Sequence, residues 1–176
     1  MQYVPPGAHA VYATLTALAS FSRGGVRTQL LENGDLRAAF EAEPWTREAA
    51  RAVVSARYKD AWEGLVDNQA RALLDPHLCP HVGALLGQIR ARLLCSYFAP
   101  YSSVALGAFA DAFGCDEVGL TRDVIALIKA GRMPARVDAR EGRLVKKETD
   151  VRQKAFRRAL EEGELMTKRG RASLLR

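Results

Sequence analysis

A succession of short apolar stripes at helical spacing, each cut off by glycine, proline or asparagine, fills the chain from Ala8 to Gly131; after Pro134 the spacing drops to two. That pattern constrains the fold more than any motif does. Short helices with brief connections bury their stripes by stacking antiparallel, and a late pair of short strands has to close on the helices before it. With 176 residues, 48% of them apolar, the chain can fill one core and is too hydrophobic for a disordered segment.

The stripes read in order. Val11, Leu15, Leu18 and Ala19 mark a helix from Ala8 to Phe21, and Arg23-Gly24-Gly25 is expected to be the turn that ends it. Val26, Leu30 and Leu31 make a second helix stopped by Asn33-Gly34, and Leu36, Ala39 and Phe40 a third. Pro44 suits the first turn of the next, where its missing N–H costs nothing, with Trp45, Ala49, Ala52 and Val53 on one face. Tyr58, Trp62, Leu65, Val66, Gln69 and Leu73 continue as one stripe to Asp75-Pro76. Tyr58, Trp62 and Trp45 are aromatic at helical spacing, which reads as core packing. This part, residues 1–80, is expected to be a helical-repeat, solenoid-like lead-in.

A long helix from Pro80 to Phe98, ended by Pro100, opens the second part. Ser102 or Ser103 is expected to cap a helix carrying Leu106, Phe109, Ala110 and Phe113, closed by Gly114; Asp116 caps another with Leu120, Val124, Leu127 and Ile128, ended by Gly131. Two helices joined by Gly114-Cys115-Asp116 form a helix-turn-helix. Alternation over Pro134–Asp138, a turn at Ala139–Gly142 and a second strand holding Leu144 and Val145 among Arg143, Lys146 and Lys147 add a small hairpin. The order makes residues 81–148 a winged helix, and residues 149–176 a terminal helix. The fold class is mainly α.

Several pieces together resemble the PCI-domain family, found in the proteasome lid, the COP-nine signalosome and a translation initiation factor. They are Ser96-Tyr97-Phe98-Ala99-Pro100-Tyr101, Phe109-Ala110-Asp111-Ala112-Phe113-Gly114, and Ile128-Lys129-Ala130-Gly131-Arg132 through Ala135-Arg136-Val137-Asp138. Val11–Phe21, Glu41-Ala42-Glu43-Pro44, Asp150-Val151-Arg152-Gln153 and the basic tail ending Ala172-Ser173-Leu174-Leu175-Arg176 are similar to the signalosome branch more than to its proteasome-lid paralogues. The resemblance implies a non-catalytic scaffold of a multi-subunit complex that removes a ubiquitin-like modifier from cullins, in nucleus and cytoplasm. It also implies other PCI-domain subunits as partners, joined through winged helices and a bundle of C-terminal helices. Family members carry a long N-terminal helical-repeat region, so a C-terminal fragment or a shortened member is expected.

Partner-binding residues follow from the same elements. An exposed hairpin edge can pair with a strand of another subunit, which selects Arg136, Val137, Arg143, Leu144, Val145 and Lys146. On the terminal helix, Val151, Phe156, Leu160, Leu165 and Met166 are expected to supply one buried face.

No enzyme is expected. His77-x-Cys79-x-His81 has metal-ligand residue types, but Pro76 and Pro80 break the helix that would align them and no fourth ligand lies nearby, so no metal and no cofactor is assigned. There is no H-E-x-x-H, no G-x-S-x-G and no P-loop, and no small-molecule substrate is expected. Cys95 and Cys115 read as packing residues, and three cysteines, an odd number, argue for a reducing compartment. No apolar run reaches the ~18 residues that a membrane span needs, and the N-terminus lacks the pattern of a secretory signal.

The net charge of +6 leaves nucleic acid as the alternative class. Its location argues against it. Residues 1–142 hold 15 Lys/Arg and 15 Asp/Glu, whereas residues 143–176 hold 11 and 5. The helix that would enter a groove carries Asp116, Glu117 and Asp123 against Arg122 and Lys129, a poor surface for phosphates. An acidic protein neighbour fits the basic tail better.

Overall fold

The computed structural model describes residues 6–147 and 151–174. The lead-in consists of α1 (Pro6–Ser20), α2 (Arg23–Gly25), a π-helical segment Val26–Leu31, a 3-10 turn Gly34–Leu36, α3 (Arg37–Ala42), α4 (Pro44–Val54), α5 (Tyr58–Asp67) and α6 (Gln69–Leu73). Arg23-Gly24-Gly25 is a helical turn rather than a break. The Ser22 hydroxyl accepts a hydrogen bond from the Gly25 N–H, and Arg23 Nε donates to the Val54 carbonyl at 2.8 Å, so a capping residue and a distant acceptor offset the glycines' poor helix propensity. Pro44 takes the first position of α4 as its chemistry requires.

The stripe from Tyr58 to Leu73 also divides where one helix was expected. Asn68 ends α5, its side-chain amide donating to the Gly64 carbonyl at 2.9 Å, and α6 restarts one residue later. Residues 74–81 are turns. The Asp75 carboxylate accepts from the His77 and Leu78 N–H groups, and no cluster of three or more potential metal ligands exists among the described residues.

The second part comprises α7 (Val82–Phe98), β1 (Ser103–Ala105), α8 (Leu106–Phe113), α9 (Glu117–Lys129), β2 (Ala135–Asp138), β3 (Arg143–Lys146) and α10 (Val151–Leu174). Neither Ser102 nor Ser103 caps α8. Ser103–Ala105 forms a third strand, and α8 begins after Ala105 with no side-chain cap. Gly114 ends α8 in the left-handed conformation (φ +59°), with the Lys59 stem against it, and Asp116 caps α9 by accepting from the Gly119 N–H.

One hydrophobic core runs from Ala10 on α1 to Leu144 on β3. Its densest part is aromatic. Tyr58 of α5 stacks on Phe113 of α8 at 5.5 Å and meets Tyr97 of α7 edge-on at 5.8 Å, while Tyr97 stacks on Phe109 at 4.7 Å. Arg90 of α7 adds a polar pin: its guanidinium lies 4.9 Å from the Trp62 ring centroid, and its Nε donates to Asp123 of α9 at 2.7 Å. Helical lead-in and winged helix are therefore packed as one body along α5, α7, α8 and α9.

Candidate subunit interface

The sheet has the order β1-β3-β2, with both pairings antiparallel. This corrects the expected edge. β3 is hydrogen-bonded on both sides, so Arg143, Leu144, Val145 and Lys146 stand on a central strand, and among the described residues the edge strands are β1 and β2. Arg136 and Val137, on β2, retain edge positions. Sequence reasoning missed β1 because three residues, Ser-Val-Ala, carry no readable period.

Register separates these residues further. Val104, Leu144 and Val137 form one row across the sheet, and Leu144 is fully buried, so it is part of the core and closed to a partner. Lys146 shares that face of β3, and its Nζ donates to the Ala99 carbonyl at 3.0 Å, closing the C-terminal end of α7. Arg136, Arg143 and Val145 occupy the other face together with Ser103. The hairpin turn is built by Asp138, whose carboxylate accepts from the Arg140 and Glu141 N–H groups, and by Gly142 at φ +60°.

α10 is helical through Gly163, and its described side chains from Arg152 to Arg171 are all exposed. Phe156 is 66% and Met166 75% exposed, and Leu160 and Leu165 are also open. Val151 lies on α10, with its side chain outside the described residues. The expected single buried face does not form on a continuous helix. Leu165 follows Phe156 by nine residues, about two and a half turns at ~3.6 residues each, and so lies on the opposite side. α10 thus presents apolar groups in more than one direction, between cations such as Arg158, which is paired with Glu162 at 3.0 Å.

α9 packs Leu120, Val124 and Leu127 into the core and leaves Val118 and Ile125 exposed on its outer side, in a shallow groove with Asp116, Glu117, Thr121 and Arg122. An outer face with two apolar side chains and two carboxylates suits phosphate poorly. The signal for it was legible: Val118 and Ile125 are seven apart and off the core stripe.

Burial pushes the Cys95 thiol above its ordinary range, and Cys115 lies against the core. No described helix is long and apolar enough to cross a membrane.

A family model described as the PCI domain matches residues 65–148, from the end of α5 through the whole winged helix. COP9 signalosome complex subunit 1 of Arabidopsis thaliana is 35% identical over 99% of this chain, and subunit 1b of Drosophila melanogaster 32% identical over 95%. A weaker similarity, 18% identity over 90% of the chain, links it to 26S proteasome non-ATPase regulatory subunit 6 of Dictyostelium discoideum. The chain spans 40% of the Arabidopsis relative's length and 32% of the Drosophila relative's.

Proposed function

This chain is a PCI-domain protein resembling subunit 1 of the COP9 signalosome, and from that premise we propose that it is a non-catalytic assembly subunit of a signalosome-type complex. The observation that carries the proposal is α10: a 24-residue helix with Phe156, Leu160, Leu165 and Met166 exposed and pointing to more than one side. A helix apolar on opposite sides is suited to the inside of a helix bundle, where neighbours cover it all round. The β2 edge, with Arg136 and Val137, supplies a second and directional contact by strand pairing, and β1 offers the same at the other end of the sheet. The partners are other PCI-domain subunits, and cullin deneddylation is the activity of the complex as a whole.

The division of labour is open to a direct test. Co-expressed with signalosome PCI subunits, the chain lacking residues 149–176, or carrying Phe156→Asp with Leu160→Asp, should lose co-purification at least about tenfold, as expected when apolar anchors are truncated. Circular dichroism should remain that of a folded winged helix, since α10 contributes nothing to the described core. Undiminished co-purification would remove α10 from the interface.

A further inference from the structure

We propose that the cleft between the Val26–Leu31 segment, the start of α3 and the first turn of α4 is a binding site for a phosphate group, independently of the assembly role. The cleft has a volume of about 170 Å3 and an apolar floor of Leu31 and Phe40. Arg37 and Arg47 both line it, and neither has a carboxylate partner among the described residues. Arg47 Nε is buried without a hydrogen-bond acceptor. The carboxylate on the wall, Glu32, is already committed, accepting from Arg27 Nε at 3.1 Å.

Two guanidiniums lining one cleft repel each other, and one dianion offsets that repulsion. Arg47 also lies in the first turn of the 11-residue α4, where the helix dipole disfavours a cation and no acidic residue compensates. Glu43, just before that turn, is held by Trp45 Nε1 at 2.8 Å and Arg71 at 3.0 Å. Asn33 uses its Oδ1 on the Asp35 N–H at 3.0 Å, which leaves its amide donors for a ligand, and nothing lies within 4 Å of where a Cβ at Gly34 would stand, so an oxygen can approach that backbone. Forked guanidinium donors, a net charge of two and several acceptor oxygens match a tetrahedral phosphate dianion. The group comes either as free phosphate or as a phosphorylated side chain.

The test is an amide and arginine-side-chain NMR titration of the full chain with inorganic phosphate and, separately, with N-acetyl-phosphoserine amide, against chloride at equal ionic strength. Saturable shifts at the Gly34 N–H and Arg47 Nε–H, absent with chloride, are expected. Arg47→Gln and Arg37→Ala should each weaken binding at least about fivefold, the loss of a charge-assisted contact, and Arg37, being exposed, can be changed without disturbing the fold. Tighter binding of the phosphoserine derivative assigns a protein-borne phosphate, and binding of inorganic phosphate alone assigns the free ion. Non-saturating shifts, or affinities unchanged in both variants, overturn the proposal.

Discussion

Arg90 of α7 joins α9 within the winged helix through Asp123 and reaches α5 of the lead-in through Trp62. Its side chain is 22% exposed and that of Asp123 41%, so the pair lies between a surface ion pair and a buried one. A charge-assisted hydrogen bond contributes about 1.5–3 kcal/mol when buried, and an exposed ion pair about 0.2–1 kcal/mol. The intermediate exposure places the Asp123 link near 1 kcal/mol, and the guanidinium over Trp62 adds about 0.5–1 kcal/mol. Arg90→Met keeps most of the apolar stem and leaves Asp123 in contact with water, so it should cost about 2 kcal/mol. Urea unfolding of the wild type, Arg90→Met, Asp123→Asn and the double variant yields the coupling directly. A coupling energy near 1 kcal/mol is expected, with the Arg90→Met melting temperature lowered by about 4–8 °C for a chain of this size. Coupling below about 0.3 kcal/mol would refute the link between α7 and α9.

Ala56 adopts φ +59° in a Schellman turn, with the Arg57 N–H donating to the Ala52 carbonyl at 2.9 Å and the Ala56 N–H to the Val53 carbonyl at 3.1 Å. The left-handed conformation costs alanine about 1–2 kcal/mol and the added chain freedom of glycine costs about 0.5–1 kcal/mol, so Ala56→Gly should raise stability by about 0.5–1 kcal/mol; a fall in melting temperature would contradict the turn. The Tyr12 hydroxyl donates to Asp75 at 2.5 Å, and that hydrogen bond, ahead of the opposing burial, holds the Asp75 carboxyl below the ordinary carboxylate range and raises Tyr12 above 10.0. A lowered carboxylate stabilises the fold above its unfolded pKa of about 3.9 and loses that contribution as pH falls through the folded value. The stability gap between wild type and Tyr12→Phe, followed by urea unfolding, should therefore be full at pH 7 and shrink below about pH 4. A gap constant into strong acid would rule out the linkage.

The local chemistry of the chain was decided by its sequence. The Asp116 cap, the left-handed Gly114 and the proline at the start of α4 each follow from a residue's own stereochemistry or a spacing of a few positions, and each stands where the residues place it. Tertiary structure decided what depends on distant partners. The pairing of Ser103–Ala105 turned β3 from an edge into the centre of the sheet, because strand order is set by backbone groups about forty residues apart and no periodicity encodes it. The same holds for Arg90, a polar residue on the open side of its own stripe until α5 and α9 pack around it, and for Arg37 and Arg47, neighbours only because α3 and the start of α4 fold against one cleft. On α10 the composition was legible but the direction of its apolar side chains was not. Continuity through Gly163 fixes the rotation between Phe156 and Leu165, and only an unbroken helix sets them on opposite sides.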